Sequence, residues 1–135
     1  MEINWTKYTD MYPDRYIKES KIDDEIRKLI SNPFSHLTPK TLDIGGNING
    51  TQVLRTTNCF FLDPHIKKPN WYEEQITWDD VYNIKHKFDI IVAKNSFNYL
   101  TEKELKSIPH VLNKGGVFIA NTFIKPTEIN RGVCK

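Results

Sequence analysis

The sequence predicts an α/β domain, a three-layer sandwich around a central, mostly parallel five-stranded sheet. Three observations carry this expectation. The run Thr41-Leu42-Asp43-Ile44-Gly45-Gly46-Asn47-Ile48-Asn49-Gly50 reads as a short strand passing into a glycine-containing turn. The apolar stretch Cys59-Phe60-Phe61-Leu62 stops at Asp63-Pro64, with Asp63 eighteen positions past Gly45. In doubly wound folds an acid about twenty positions past the glycine turn closes the second strand, so both runs fit one unit. Finally, Phe88-Asp89-Ile90-Ile91-Val92-Ala93 is apolar almost throughout, as expected of a strand covered on both faces.

An N-terminal helical segment is expected over 1–39. It holds three tyrosines and a tryptophan, and from Ser20 to Ile30 the residues Ile22, Ile26, Leu29 and Ile30 recur at helical spacing. Asn32-Pro33 and Thr38-Pro39 then break the chain, because the residue before a proline is pushed out of helical geometry. The α/β core follows over 40–125. Strand one spans about Lys40 to Ile44, and a compressed helical segment from about Thr51 to Thr57 leads to strand two, Cys59 to Leu62. Glu74 to Thr77 reads as a short third strand and Val81 to Lys87 as a polar connector. Phe88 to Ala93 is the fourth strand and the centre of the sheet. Thr101 offers an N-cap with Glu104 three positions on, and Leu105, Ile108 and Leu112 continue at helical intervals until Asn113-Lys114-Gly115-Gly116 ends the helix. Val117 to Phe123 is the fifth strand.

The length of 135 residues suits a single domain. Hydrophobic residues at 39%, charged residues at 27% and no apolar run near the eighteen or so needed for a span predict a soluble protein without a membrane partner. Met1-Glu2-Ile3-Asn4-Trp5-Thr6 lacks the basic-then-apolar order of a secretory signal, which gives a cytoplasmic expectation. A net charge of +2 is too small to support nucleic-acid binding. Cys59 and Cys134 read as a core thiol and a surface thiol, and His36, His65, His86 and His110 lack metal-site spacing, so no metal is expected. A Gly-x-Ser-x-Gly nucleophile elbow is absent from the sequence.

From Thr41 to Phe123 the order of signals resembles a class I S-adenosylmethionine-dependent methyltransferase, with its Rossmann-like fold. Leu42-Asp43-Ile44-Gly45-Gly46 matches the family's first motif, Phe61-Leu62-Asp63 the second and Phe88-Asp89-Ile90-Ile91-Val92 the fourth. Leu112-Asn113-Lys114-Gly115-Gly116-Val117-Phe118-Ile119 matches the approach to the fifth strand. The resemblance implies S-adenosyl-L-methionine as cofactor, with backbone at Gly45 and Gly46 near its methionine moiety. It further implies that Asp63 holds the ribose hydroxyls and that the turn near Trp78-Asp79 lies against adenine. The chain departs from the pattern at Asn47, where the family usually has a second alternating glycine, although asparagine tolerates left-handed backbone angles. The family sheet normally ends with two further strands, so the resemblance is to a minimal or C-terminally truncated version.

Each candidate has a plainer reading beside the functional one. Gly45 and Gly46 suit a tight turn, and Asp63 suits an ordinary turn after a strand. Asp43 either orients the loop's amides or meets the cofactor's ammonium, since buried acids need such partners. Trp78, Asp79 and Asp80 either cover adenine or simply pack and solvate a surface loop. Lys94 to Tyr99 occupies the mouth of the sheet, where open α/β folds place ligands, and Asn95 is the candidate there. No catalytic residue is assigned, because a sulfonium carbon is already electrophilic and alignment can suffice. Motifs for amino-group methylation of DNA bases and for cytosine carbon-five methylation are both missing. Two other readings stay open. One is an inactive methyltransferase-like binding or regulatory subunit, associating as a homo- or hetero-oligomer through a strand-five edge. The other is a domain for NAD, which shares the glycine turn and acid. The methyl acceptor is not legible, since fold does not set function.

Overall fold

In the computed structural model, which describes residues 21–31, 38–46 and 48–121, five strands run parallel. They are β1 (Lys40–Ile44), β2 (Asn58–Leu62), β3 (Glu74–Gln75), β4 (Phe88–Ala93) and β5 (Leu112–Ala120). Their spatial order is β3-β2-β1-β4-β5. The chain therefore winds outward from β1 to one edge, crosses back to β4 and winds to the other, which is Rossmann-like. The winding reverses between β1 and β4, and this is the switch point of the sheet.

Alternation along the strands divides the core between two faces. Leu42, Ile44, Phe60, Leu62, Ile91 and Ala93 share one face and pack against Val81, Ile108 and Val111. Cys59, Phe61, Ile90 and Val92 share the other and pack against Leu54, Tyr72 and the buried Ile22 and Ile26. Those two isoleucines belong to α1 (Lys21–Ser31), and Leu54 to a five-residue 3₁₀ helix, Gln52–Thr56. The opposite face carries α2 (Trp78–Tyr82) and α3 (Glu102–Ser107). Helices on both faces complete three layers.

Local chemistry explains where the short helices start. Thr101 Oγ1 accepts from the Glu104 amide at 3.1 Å while Glu104 accepts from the Thr101 amide at 2.8 Å. Thr77 and Asp80 form the same reciprocal box at the head of α2. β2 starts one residue earlier than the sequence expectation, β3 ends at Gln75 rather than Thr77 because Thr77 caps the next helix, and three larger differences also have local causes. The Trp78-Asp79 turn and the start of the Val81–Lys87 connector are helix, because the Thr77 box nucleates one. The helix from Thr101 ends at Ser107 and tightens into a 3₁₀ turn, Ile108–Val111, where Pro109 has no N–H to continue the ladder. β5 begins at Leu112, since Phe88 pairs with Leu112 and Ile90 with Val117. Asn113 to Gly116 thus bulge out within the strand, with Gly115 at φ +79°.

Expectations for 1–20, 32–37 and 122–135, including Ser20, His36, Phe123 and Cys134, lie outside the described residues, as does Asn47. Among the described residues no helix is long and apolar enough to cross a membrane.

Candidate functional site

The parallel register sets the site. Ile44 is level with Leu62, and the Gly45 amide donates to the Leu62 carbonyl at 2.8 Å, so the glycine turn and Asp63 leave the sheet side by side. Lys94, Asn95 and Ser96 follow β4 on the far side of β1. Ser96 Oγ donates to the Ile44 carbonyl at 2.7 Å. Gly45 sits at φ +69°, and a Cβ there would lie 2.6 Å from Ser96 Cβ, so both backbone angle and space demand glycine.

Asp43 is fully buried beneath this turn, on the α1 face of the sheet. Its Oδ2 accepts from the Tyr72 hydroxyl and from the Thr51 amide, the latter at 3.2 Å. The same amide reaches the Tyr72 oxygen at 2.9 Å. Among the described residues Oδ1 has no hydrogen-bond partner. Burial pushes the carboxyl above the usual carboxylate range, and the Tyr72 and Thr51 bonds and the Lys94 charge oppose that push. Lys94 Nζ holds both oxygens of Asp23 in α1, at 2.9 and 3.1 Å. A Cβ on Gly46 would lie 2.7 Å from Asp43 Cγ. Asp43 thus accepts from a loop amide at Thr51.

Asp63 is buried as well, and its Oδ1 accepts from the amides of His65 at 2.8 Å and Ile66 at 3.1 Å. The carboxylate therefore caps the turn that ends β2. Burial raises its proton affinity, and the His65 and Ile66 amides lower it. Among the described residues nothing donates to Oδ2.

Asn95 has φ +61°, its amide donates to Asn121 Oδ1 at 2.7 Å, and its own Oδ1 accepts from Asn121 Nδ2 at 2.6 Å. This pair ties the ends of β4 and β5. Trp78 opens α2, packs against the sheet face opposite Asp43 and stacks on Tyr82. Asp79 is exposed beside it, and its carbonyl accepts from the Asn83 amide at 3.0 Å. The structure therefore brings Asp43, Gly45, Gly46, Asp63 and Asn95 to the carboxyl ends of three adjacent strands, and Trp78 and Asp79 open the helix that follows the carboxyl end of β3.

Sequence reasoning missed Tyr72, Thr51, Gln75 and Asn121. Trp71-Tyr72 carried a signal, an aromatic pair in a polar stretch; the rings stack at 3.8 Å and press on Gly50. Nothing in the local pattern marks Gln75. Among the described residues no group of three His, Cys, Asp or Glu could hold a metal ion. No protein-family model matches this chain, and no curated protein matches it.

Proposed function

We propose that this chain binds S-adenosylmethionine at the carboxyl ends of β1, β2 and β4 and transfers its methyl group to an acceptor. One observation carries the reading: the register that sets Gly45 beside Leu62 puts the glycine turn and Asp63 together at the edge of the switch point. The bound cofactor would supply an electrophilic methyl group. The residues present fit it in a specific way. Asp63 Oδ1 is occupied by the turn, so Oδ2, with two lone-pair sites, is the oxygen left for the ribose hydroxyls. The Cβ spaces of Gly45 and Gly46 are filled by Ser96 and Asp43, so what the turn offers a ligand is backbone rather than a cavity. At the end of β4, Ser96 is the residue that meets this turn, while the Asn95 side chain is bonded to Asn121 beyond β5. Acceleration would come from alignment of donor and acceptor, with no base required on the chain.

A second reading has an observation of its own. The crossover after the turn is a five-residue 3₁₀ helix, which lacks the aligned dipole that a longer α-helix would direct at a ligand. That favours a binding or regulatory subunit without turnover.

The test is calorimetric titration of the wild-type chain with S-adenosylmethionine, S-adenosylhomocysteine and NAD, beside Asp63→Asn, which keeps the turn-capping oxygen. Micromolar binding of the first two, about 8 kcal/mol, weakened at least about tenfold in the variant, is expected. Absence of binding, or preference for NAD, overturns the proposal. Binding without methyl transfer to small-molecule, peptide and nucleic-acid acceptors selects the second reading.

A further inference from the structure

Gln75 has no place among the residues assigned so far to a ligand, yet its amide organises the whole segment after β2. Nε2 donates to the carbonyls of Asp63 and Ile66, both at 2.9 Å, and Oε1 accepts from the Lys68 amide at 2.9 Å. Both donors and one acceptor site are thereby used. Gln75 is itself fixed by the sheet, since it is level with Phe61 and the next amide, Ile76, donates to the Phe61 carbonyl at 2.8 Å.

The constraint on Asp63 is therefore double. Turning its carboxylate means breaking the His65 and Ile66 amide bonds to Oδ1. Moving those amides means breaking the grip of Gln75 on the Asp63 and Ile66 carbonyls and the Lys68 amide. A side chain on the neighbouring strand thus decides where Oδ2 points. That direction matters because one oxygen can accept from two vicinal hydroxyls only from a position between them. A carboxylate free to swing would gain little from the second hydroxyl, because ordering it costs what the extra bond returns.

We infer that Gln75 is a positioning residue: it aims Asp63 and so sets the site's preference for ribose over 2′-deoxyribose ligands. This inference rests on the cofactor reading above. Two variants test it. Gln75→Glu is isosteric and replaces the twice-donating Nε2 with one carboxylate oxygen facing two carbonyls; Gln75→Met removes the polar group without adding charge and serves if the first does not fold. Dissociation constants are measured for S-adenosylhomocysteine and its 2′-deoxyribo analogue. Wild type is expected to prefer the ribo form by about tenfold, the worth of one such hydrogen bond, and the variants by a ratio near one. A merely structural role would lower both affinities together, so an unchanged ratio in a folded variant overturns the inference.

Wild type binding neither ligand would defeat the cofactor reading instead, and a ligand-free readout then decides. Loss of Gln75 should shift the Asp63 carboxyl ¹³C resonance and speed hydrogen exchange at the His65 and Ile66 amides. If neither changes, Gln75 does not position Asp63.

Discussion

Tyr72→Phe removes one oxygen from the middle of the buried network and keeps the ring that packs edge-on to Phe61 at 4.8 Å and stacks on Trp71. The variant loses the bond to Asp43 Oδ2 and the acceptor that the Thr51 amide reaches at 2.9 Å. Among the described residues Asp43 then keeps only the Thr51 amide, with Oδ1 already unpartnered. A hydrogen bond to a charged group is worth about 1.5–3 kcal/mol. Taking ~2 kcal/mol and an unfolding entropy of ~2.1 cal/mol/K per residue, Tm should fall by about 7 °C. The loss should also depend on pH with a definite sign. Burial holds the Asp43 pKa above its unfolded value and the Tyr72 bond holds it down, so removing the bond penalises the ionised form. The raised pKa means that Asp43's contribution is fully present below its unfolded value and lost as pH rises through the folded one. Tyr72→Phe widens that window, so its cost is largest above the folded pKa and shrinks toward acid. Urea denaturation followed by far-ultraviolet circular dichroism, repeated from pH 4 to pH 8, reads this directly. A loss below about 0.5 kcal/mol at neutral pH, or one that grows toward acid, refutes the argument.

Substitutions at two other positions probe the frame around the site. Ile84 is exposed at φ +52° just after α2, a backbone angle that penalises a β-branched residue; Ile84→Gly should raise stability by about 1 kcal/mol in the same assay, with Ile84→Val near neutral. Lys94 and Asp23 are a largely buried ion pair joining the end of β4 to α1, so Lys94→Met should cost about 3–5 kcal/mol. Hydrogen exchange should then quicken first in α1, and uniform quickening across the sheet would contradict the pinning role.

What could be read from the sequence follows from how local each signal is. β4 has its expected bounds and β2 gains one residue at its start, because strands buried on both faces are written as apolar runs; β1 also has its expected bounds, legible from the Pro39 before it and the glycine turn after it rather than from its own composition. α3 begins where the Thr101 box places it, since that box is complete within four residues. The equivalent Thr77 box is less legible, because Trp78-Asp79-Asp80 has the polar composition of a loop and its N3 partner is Asp80 rather than a glutamate. β5's true start was hidden because the bulge over Asn113–Gly116 is defined by pairing with Phe88 and Ile90, not by its own composition. At the site, Asp63 is legible through its spacing from Gly45, and Asp43 through its place at the end of the first strand, just before the glycine turn. Tyr72 and Gln75 are not, because their importance lies in bonds to residues twenty-nine and twelve positions away.

The strand order has a kinetic consequence. With all neighbours parallel, no pair can be closed by a tight hairpin, and the central β1–β4 pair brings Thr41 level with Ile90, with the Lys40 amide bonded to an Asp89 oxygen forty-nine positions later. Loop-closure entropy must be met before that contact returns anything, which makes folding slow for a chain of this size. During synthesis, β1, β2 and β3 emerge first, and the inner edge of β1 stays unpaired until β4 arrives. The nascent chain therefore carries its most aggregation-exposed surface at the strand edge that later becomes the middle of the sheet.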